Sequence, residues 1–569
     1  MNKTENKNLI SMKQRSFLFS VFYLIIFFAP LLSYSQKKVE IVNANILKFD
    51  KDLGNGAKRL IGNVQFRQEN TVMFCDSAYF YSNNALDAFG HVHIQQDDSV
   101  HLYGDLLKYD GNTKKALLTK NVVVNKGDMQ LTTDQLNYDL STSIGYYTTP
   151  AKIINKENVL TSTTGYFFSK TNDLTFKKNV VLTNPQFVIN CDTMRYNSSS
   201  KVTYFLGPTT IKSKENLIYC EDGWYNTATD QSRFSKNSYI ITKEQKMFGD
   251  SLYYDRKKGI GRAIKNVQLI DTTQKITITG EYAIHYELKD LSIVTGNTLL
   301  TQMYEKDTLY LHADTLKAIG STKEKNYEES RIKNQESGIK KQDSGNKNQN
   351  NKPITNNKQL TTNNRQLATD TNQTSNNKRL FAYHKVKFFK HDIQGKCDSL
   401  VYEINDSTMK LYGQPTLWSQ ENQLTGDSMR VLTGSKSIRA IEIQGTGFIV
   451  SQEDSLHYNQ IRGKYIKGFF KNNEMYRINV VGNGQTIYYA KDKAAEKEKE
   501  EIKAVNRADC SDLNIFLKDK KVEHITFLTK PDATLYPLDK IELKDLKLKD
   551  FIWRAESRPL TQKDIFIWQ

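Results

Sequence analysis

Apolar and polar residues alternate along most of this chain in short runs, and polar turns separate the runs. Val122-Val-Val-Asn125 and Val180-Val-Leu-Thr183 are typical runs, and Gln96-Asp-Asp-Ser99, Asp110-Gly-Asn112 and Asn125-Lys-Gly-Asp128 are typical turns. A period of two predicts strands that bury one face, and the Gly, Asn and Asp clusters predict tight reversals between them. The runs come in pairs. The first of each pair opens with Gly or Lys, a polar residue and Val: Gly62-Asn-Val64, Gly90-His-Val92, Lys120-Asn-Val122, Lys178-Asn-Val180, Lys265-Asn-Val267. The second carries an acid followed by apolar residues two and four positions on, as in Asp105-Leu-Leu-Lys-Tyr109 and Asp192-Thr-Met-Arg-Tyr196.

The acids set the period. Asp76, Asp105, Asp134, Asp192, Glu221 and Asp250 are spaced by 29, 29, 58, 29 and 29 residues. A fixed period of this length marks a stacked architecture in which each unit buries its apolar face against its neighbours. Strand side chains alternate, so Leu107, Tyr109, Leu136, Tyr138, Met194, Tyr196, Leu252 and Tyr254, at two and four past their acids, are expected to point inward. Leu102 and Leu131, three before their acids, have the opposite parity. A bend or bulge is therefore expected at the Gly-Asp step, where Gly104, Gly249 and Gly426 stand.

The expected fold is all-β: an elongated β-jellyroll of stacked antiparallel hairpins, V-shaped in section. A single-strand rung of the right-handed β-helix is the competing geometry, and two cysteines separate the alternatives. In stacked hairpins Cys191 and Cys220 lie two strand spacings apart, roughly 9–10 Å, beyond the roughly 7 Å limit for a disulfide. In a β-helix they stack at about 4.8 Å and can bond.

The register continues through Glu281 and Asp314, disappears from Ser321 to about Arg379, and resumes with Asp398-Ser-Leu-Val-Tyr402 and Asp427. The interruption is rich in Asn, Gln, Lys, Thr and Ser and reads as a disordered linker. Ala494 to Lys503 reads as a short charged helix. Beyond it Val522-Glu-His-Ile-Thr-Phe527 is strand-like. At the other end Lys13 and Arg15 precede an apolar run from Phe17 to Leu32 and the small residues of Ser33-Tyr-Ser35, the pattern of a secretory signal peptide. The resulting division is a signal peptide over 1–35, repeats over 36–320, linker over 321–379, further repeats over 380–490, and the charged helix with a C-terminal extension over 491–569.

At 569 residues the chain exceeds one ordinary core, and its formal charge of +17 favours an anionic partner. Export excludes nucleic acid and directs that charge towards an acidic envelope molecule. Four of the five cysteines (75, 191, 220 and 397) immediately precede an acid, and the fifth is Cys510. That is no metal or redox pattern; it signals a small buried side chain. The acid row could hold calcium, as on the rungs of β-helical enzymes, but one acid per bend converges on no pocket, and a turn role is expected. His91 and His93 share a strand spacing, with His101 near, yet a metal site needs further oriented ligands. Gly259-Ile-Gly261 and Gly482-Asn-Gly484 lack the strand-to-helix context of a phosphate loop. No catalytic residue, metal or cofactor is expected.

The recurring Gly-Asn-Val and Gly-Asp hairpins behind a signal peptide resemble the OstA-like family, the periplasmic lipopolysaccharide-transport proteins related to LptA and to the N-terminal domain of LptD. Residues 60–320 carry the resemblance, with Leu60-Ile-Gly-Asn-Val64 leading to Cys75-Asp-Ser77, and residues 380 to about 440 carry it again. The length, the Asn/Gln/Lys-rich insert and the tail depart from the family pattern. The resemblance implies a non-catalytic trough that shields the acyl chains of lipid A while rim Lys and Arg meet phosphates. The eight inward residues are its candidate lipid contacts. It further implies end-to-end strand pairing with other lipopolysaccharide-transport proteins, in the periplasm and towards the outer membrane. The alternative is a secreted β-solenoid enzyme or adhesin acting on envelope polysaccharide. Cleavage after Ser35 predicts that mass spectrometry of exported protein will find Gln36 at the N-terminus; an intact leader in the exported form would contradict it.

Overall fold

The computed structural model describes residues 38–49, 56–96, 100–305, 307–320, 378–433, 437–472, 474–492, 501–519 and 521–568. The expected signal peptide and almost all of the expected linker lie outside them, as do residues 494–500. Among the described residues there are 34 strands, four short 3-10 turns and no α-helix. Glu501, Ile502 and Lys503, read from sequence as the end of a charged helix, instead open the strand Glu501–Lys518. The strand-like tail piece is the strand Lys521–Leu528. The chain forms two compact units, one up to Thr171 and one from Asn172 onwards, a division not drawn from the sequence.

In the first unit the strands Ala85–Gln96, Val100–Asp110, Lys115–Lys126 and Met129–Asp139 each pair antiparallel with the next. Two strands make one repeat, so the hairpin geometry holds and the parallel β-helix does not. In Val100–Asp110 the buried positions are Leu102 and Gly104, then Leu107 and Tyr109, so the inward face changes parity at Asp105. The pairing shows how. Ala88 faces Leu107, Phe89 faces Leu106, and then Val92 faces Gly104, which leaves Gly90 and His91 opposite Asp105 alone. Two residues against one is a β-bulge, and it bends the hairpin into two arms.

The residues that build this corner belong to the strand opposite the acid. Gly90 and His91 are both left-handed, at φ 74° and 42°. Lys120-Asn121, Lys178-Asn179, Lys236-Asn237, Lys265-Asn266 and Gly296-Asn297 repeat the conformation, all with positive φ. A left-handed lysine costs roughly 1–2 kcal/mol, and the acid supplies a compensating bond. Asn121 Nδ2 donates to Asp105 at 2.7 Å, Asn237 to Glu221 at 2.9 Å and Asn266 to Asp250 at 3.0 Å. His91 meets Asp76 at 2.7 Å, and the Thr446 hydroxyl donates to Asp427 at 2.8 Å. The glycines beside the acids have another reason. Gly104, Gly249 and Gly426 are not left-handed, and a Cβ on Gly426 would lie 2.3 Å from Ile443 Cγ2. Gly445 is left-handed at +89°, and its Cβ would lie 1.9 Å from Asp427 Oδ2.

In the second unit Cys191 and Cys220 both pair with Thr209, from opposite sides, and therefore sit two strands apart. Both thiols are free. Burial, the largest cause in each case, pushes the thiols of Cys75, Cys191 and Cys220 up to about 12. The ladder also runs on across the insertion. The strand Thr308–Ile319 pairs directly with Arg379–Lys390, Leu316 against Ala382 and Leu311 against Phe388.

Two outcomes follow. Gly445→Ala should lower the denaturation midpoint of the second unit by the equivalent of about 1–3 kcal/mol, whereas Lys265→Gly, already left-handed, should stay within about 1 kcal/mol of wild type; urea titration measures both. With a thiol reagent at pH 8, Cys75, Cys191, Cys220 and Cys397 should stay unmodified in the native protein and react together on unfolding.

Candidate functional site

Side-chain size decides whether the space between the two arms is filled. In the first unit it is. Leu86, Ala88, Leu107, Tyr109, Ala116, Leu118 and Leu136 belong to one buried apolar cluster, with Tyr138 packed against it. The tyrosine hydroxyls are spoken for: Tyr109 donates to Gln68 at 2.5 Å and Tyr138 to Gln96 at 2.7 Å. Burial raises the Tyr109 hydroxyl well above its ordinary range, so it remains a neutral donor. In the second unit Met194 and Leu252 are buried, while Tyr196 and Tyr254 are half-buried. Tyr254 donates to Glu287 at 2.7 Å.

Further along the second unit the pattern changes. Two and four past Glu281 stand Ala283 and His285 rather than Leu and Tyr; past Asp314 stand Leu316 and Ala318. The neighbouring strands contribute Gly261 and Ala263, then Ser292 and Val294, at the positions where the first unit has Leu86 and Ala88 or Ala116 and Leu118. Small side chains at consecutive rungs leave a cleft of about 400 Å³, within the usual range of roughly 300–1,000 Å³ for a ligand pocket. Gly261, Ala263, Ala283 and Ala318 form part of one wall, with Leu380, Leu400 and Tyr402. The other arm supplies Met247, Leu269, Ile276, Ile278, Leu300, Leu309 and Leu311. Ile276, Ile278, Ala318 and Tyr402 are only partly buried, so apolar surface faces the cleft.

The ends of both arms are polar. Lys246, Lys378 and Arg379 stand at the cleft with Asp271 and Asp290, three cations against two carboxylates, while the Arg262 guanidinium lies over the Tyr253 ring, 5.6 Å from its centre. His285 Nδ1 lies 3.0 Å from Ser292 Oγ on the small-residue wall. Burial raises the Tyr402 hydroxyl, keeping it neutral. An apolar hollow with a net basic rim can take an amphiphile that is apolar at one end and anionic at the other.

None of the eight residues expected from the sequence lines this cleft. Four are packed in the first unit and four lie on earlier rungs of the second. The residues missed are those that break the repeat, Ala283, Ser292 and Ala318 above all, and their signal was the departure from Leu and Tyr at fixed offsets. The histidines go separate ways: His91 bonds Asp76, while His93 Nε2 meets His101 Nδ1 at 3.1 Å. Among the described residues no three metal-ligating side chains come together.

Comparison with known proteins agrees with this architecture. Residues 36–192 match the model of the OstA-like protein family, and residues 277–437, which contain most of the cleft, match the model described as LptA/(LptD N-terminal domain) LPS transport protein. Among solved structures the chain is similar to LptH, the LptA-homologous periplasmic component of the lipopolysaccharide transport device of Pseudomonas aeruginosa. The identity there is 12%, the match covers 24% of this chain and 82% of that one, and the TM-score is 0.15. No curated protein matches the chain. The two family matches, separated along one repeat series, support an OstA/LptA-like family.

Proposed function

We propose that this protein is a non-catalytic carrier of lipopolysaccharide in the periplasm, one that shelters the acyl chains of lipid A in the cleft of the second unit and passes the molecule towards the outer membrane. The observation that carries the reading is the run of small side chains that hollows an otherwise filled interior beneath a basic rim. Each methylene moved from water into such a hollow contributes about 0.8 kcal/mol, so a few buried carbons suffice for capture. Lys246, Lys378 and Arg379 are suited to the phosphates, because a headgroup held at the arm ends stays in water. On this reading Met194, Tyr196, Leu252 and Tyr254 are lipid contacts on earlier rungs of the second unit, and Leu107, Tyr109, Leu136 and Tyr138 are lipid contacts within the first. An acyl chain would reach them only by displacing packed side chains.

Transfer needs neighbours. Among the described residues the strand Lys521–Leu528 pairs on one side only, with Glu501–Lys518. At the other end of the chain, Ile46, Leu47 and Phe49 are exposed on a short strand paired only with Lys58–Gln68. Such edges accept a further strand, and other lipopolysaccharide-transport proteins are the proposed partners.

Photo-crosslinkable lipopolysaccharide tests the proposal. Wild type should form adducts at cleft residues. The double substitution Ala283→Leu with Ala318→Leu should reduce capture at least about tenfold by filling the hollow, while the fold persists by circular dichroism. Lys378→Glu with Arg379→Glu should weaken capture and flatten its salt dependence. Binding of lipid-free envelope polysaccharide with equal affinity would instead favour the enzyme or adhesin reading.

A further inference from the structure

The C-terminal extension, beyond its last strand Asp532–Pro537, runs back along the outer face of the second unit. Three glutamines on that face hold it, one from each of three strands: Gln460, Gln423 and Gln394, exposed by 1%, 1% and 4%. Gln460 Nε2 donates to the Leu546 carbonyl at 2.9 Å, and its Oε1 accepts from the Leu548 N–H at 2.8 Å. Gln423 does the same six residues on, donating to the Ile552 carbonyl at 2.7 Å and accepting from the Arg554 N–H at 2.6 Å. Gln394 accepts from Arg558 Nε at 2.9 Å. The first two amides bond a carbonyl and the N–H two residues later, which is what a neighbouring strand would do. The tail is read as an extended backbone by side chains.

Its last turn, Asp564–Phe566, ends at one seam. Ile565 is buried, the Phe566 ring lies 4.6 Å from His312, and Lys387 Nζ donates to the Ile567 carbonyl at 2.5 Å. Lys396 lies 4.7 Å from the centre of the Trp568 ring. His312 and Lys387 are direct cross-strand partners on Thr308–Ile319 and Arg379–Lys390. These two strands pair although the whole insert separates Gly320 from Lys378 in sequence, where other hairpins close through a few turn residues. Leu309, Leu311 and Leu380, on the same two strands, line the cleft from the other face.

We propose that residues 542–568 are a clasp: the glutamine ladder holds the tail in register, and its last turn fastens the seam that forms the back of the cleft, so that its docking sets how fast a ligand enters and leaves. The control of ligand rests on the lipid reading of the cleft; the fastening of the seam does not. The test uses the full chain, hydrogen exchange, and a fluorescent medium-chain fatty acid as probe. Ile565→Asp should speed amide exchange across Thr308–Ile319 and Arg379–Lys390 by about tenfold or more, leave the pair Ile276–Tyr286 and Leu291–Met303 unchanged, and speed probe release comparably. Lys387→Met, which removes the donor to Ile567 and the cation over the Trp568 ring, should act in the same direction, and keeps the test available if Ile565→Asp does not fold. Gln423→Leu should expose the Arg554 amide and loosen the same seam. Tail amides that exchange freely over an unaltered seam would overturn the clasp, and a loosened seam with unaltered probe release would overturn its control of the cleft. Failure of wild type to hold the probe would defeat the lipid reading, with seam exchange alone then deciding whether the tail fastens anything.

Discussion

The corner is the constraint on which the rest of this molecule depends. Two left-handed residues facing one acid bend each hairpin, and repetition every 29 residues turns many bent hairpins into two arms with a space between them. A flat sheet would have two faces and no interior. With the bend, each strand presents one half of its apolar side chains inward on either side of the acid, which is why the inward parity changes there. The bond from the Asn of the left-handed pair to the acid holds a conformation that lysine does not favour. The carboxylates that resemble a catalytic row are thus acceptors at a fold line.

Once the corner makes an interior, side-chain volume decides its use. Leucine and tyrosine at the inward offsets pack into one buried cluster in the first unit, with tyrosine hydroxyls satisfied by glutamines. Glycine, alanine and serine at the same offsets in the second unit leave a hollow. The left-handed corner pair recurs in both cases, so the change of use lies in the side chains at the inward offsets. A repeat fold can in this way place a binding site at any rung by substituting a few residues, without altering its frame.

How much was legible follows from the range of the interactions. The strands, turns and bend came from local patterns: alternation, Gly-Asn pairs and the parity of Leu102 against Leu107. The extra residue belongs to the left-handed pair and not to the strand of Gly104 and its equivalents, and sequence does not say which strand of a hairpin carries it. The cleft was visible only as the absence of a consensus at residues 283, 285 and 318. A search for the best-conforming repeats, such as those at Tyr109 and Tyr254, leads away from it. Glu501, Ile502 and Lys503, expected as the end of a helix, are strand because a ladder partner, the strand Glu474–Asp492, outweighs their helix propensity.

By itself the sequence determined the class of fold, the period, and the face each residue presents, because these are set by spacings within one hairpin. Tertiary structure alone decided three things. It placed Gly261, Ala283 and Ala318 on one wall, brought strands on either side of the insertion into direct pairing, and laid the tail across Gln394, Gln423 and Gln460. Each joins residues separated by tens to more than a hundred positions, and no local propensity encodes which distant surfaces will meet.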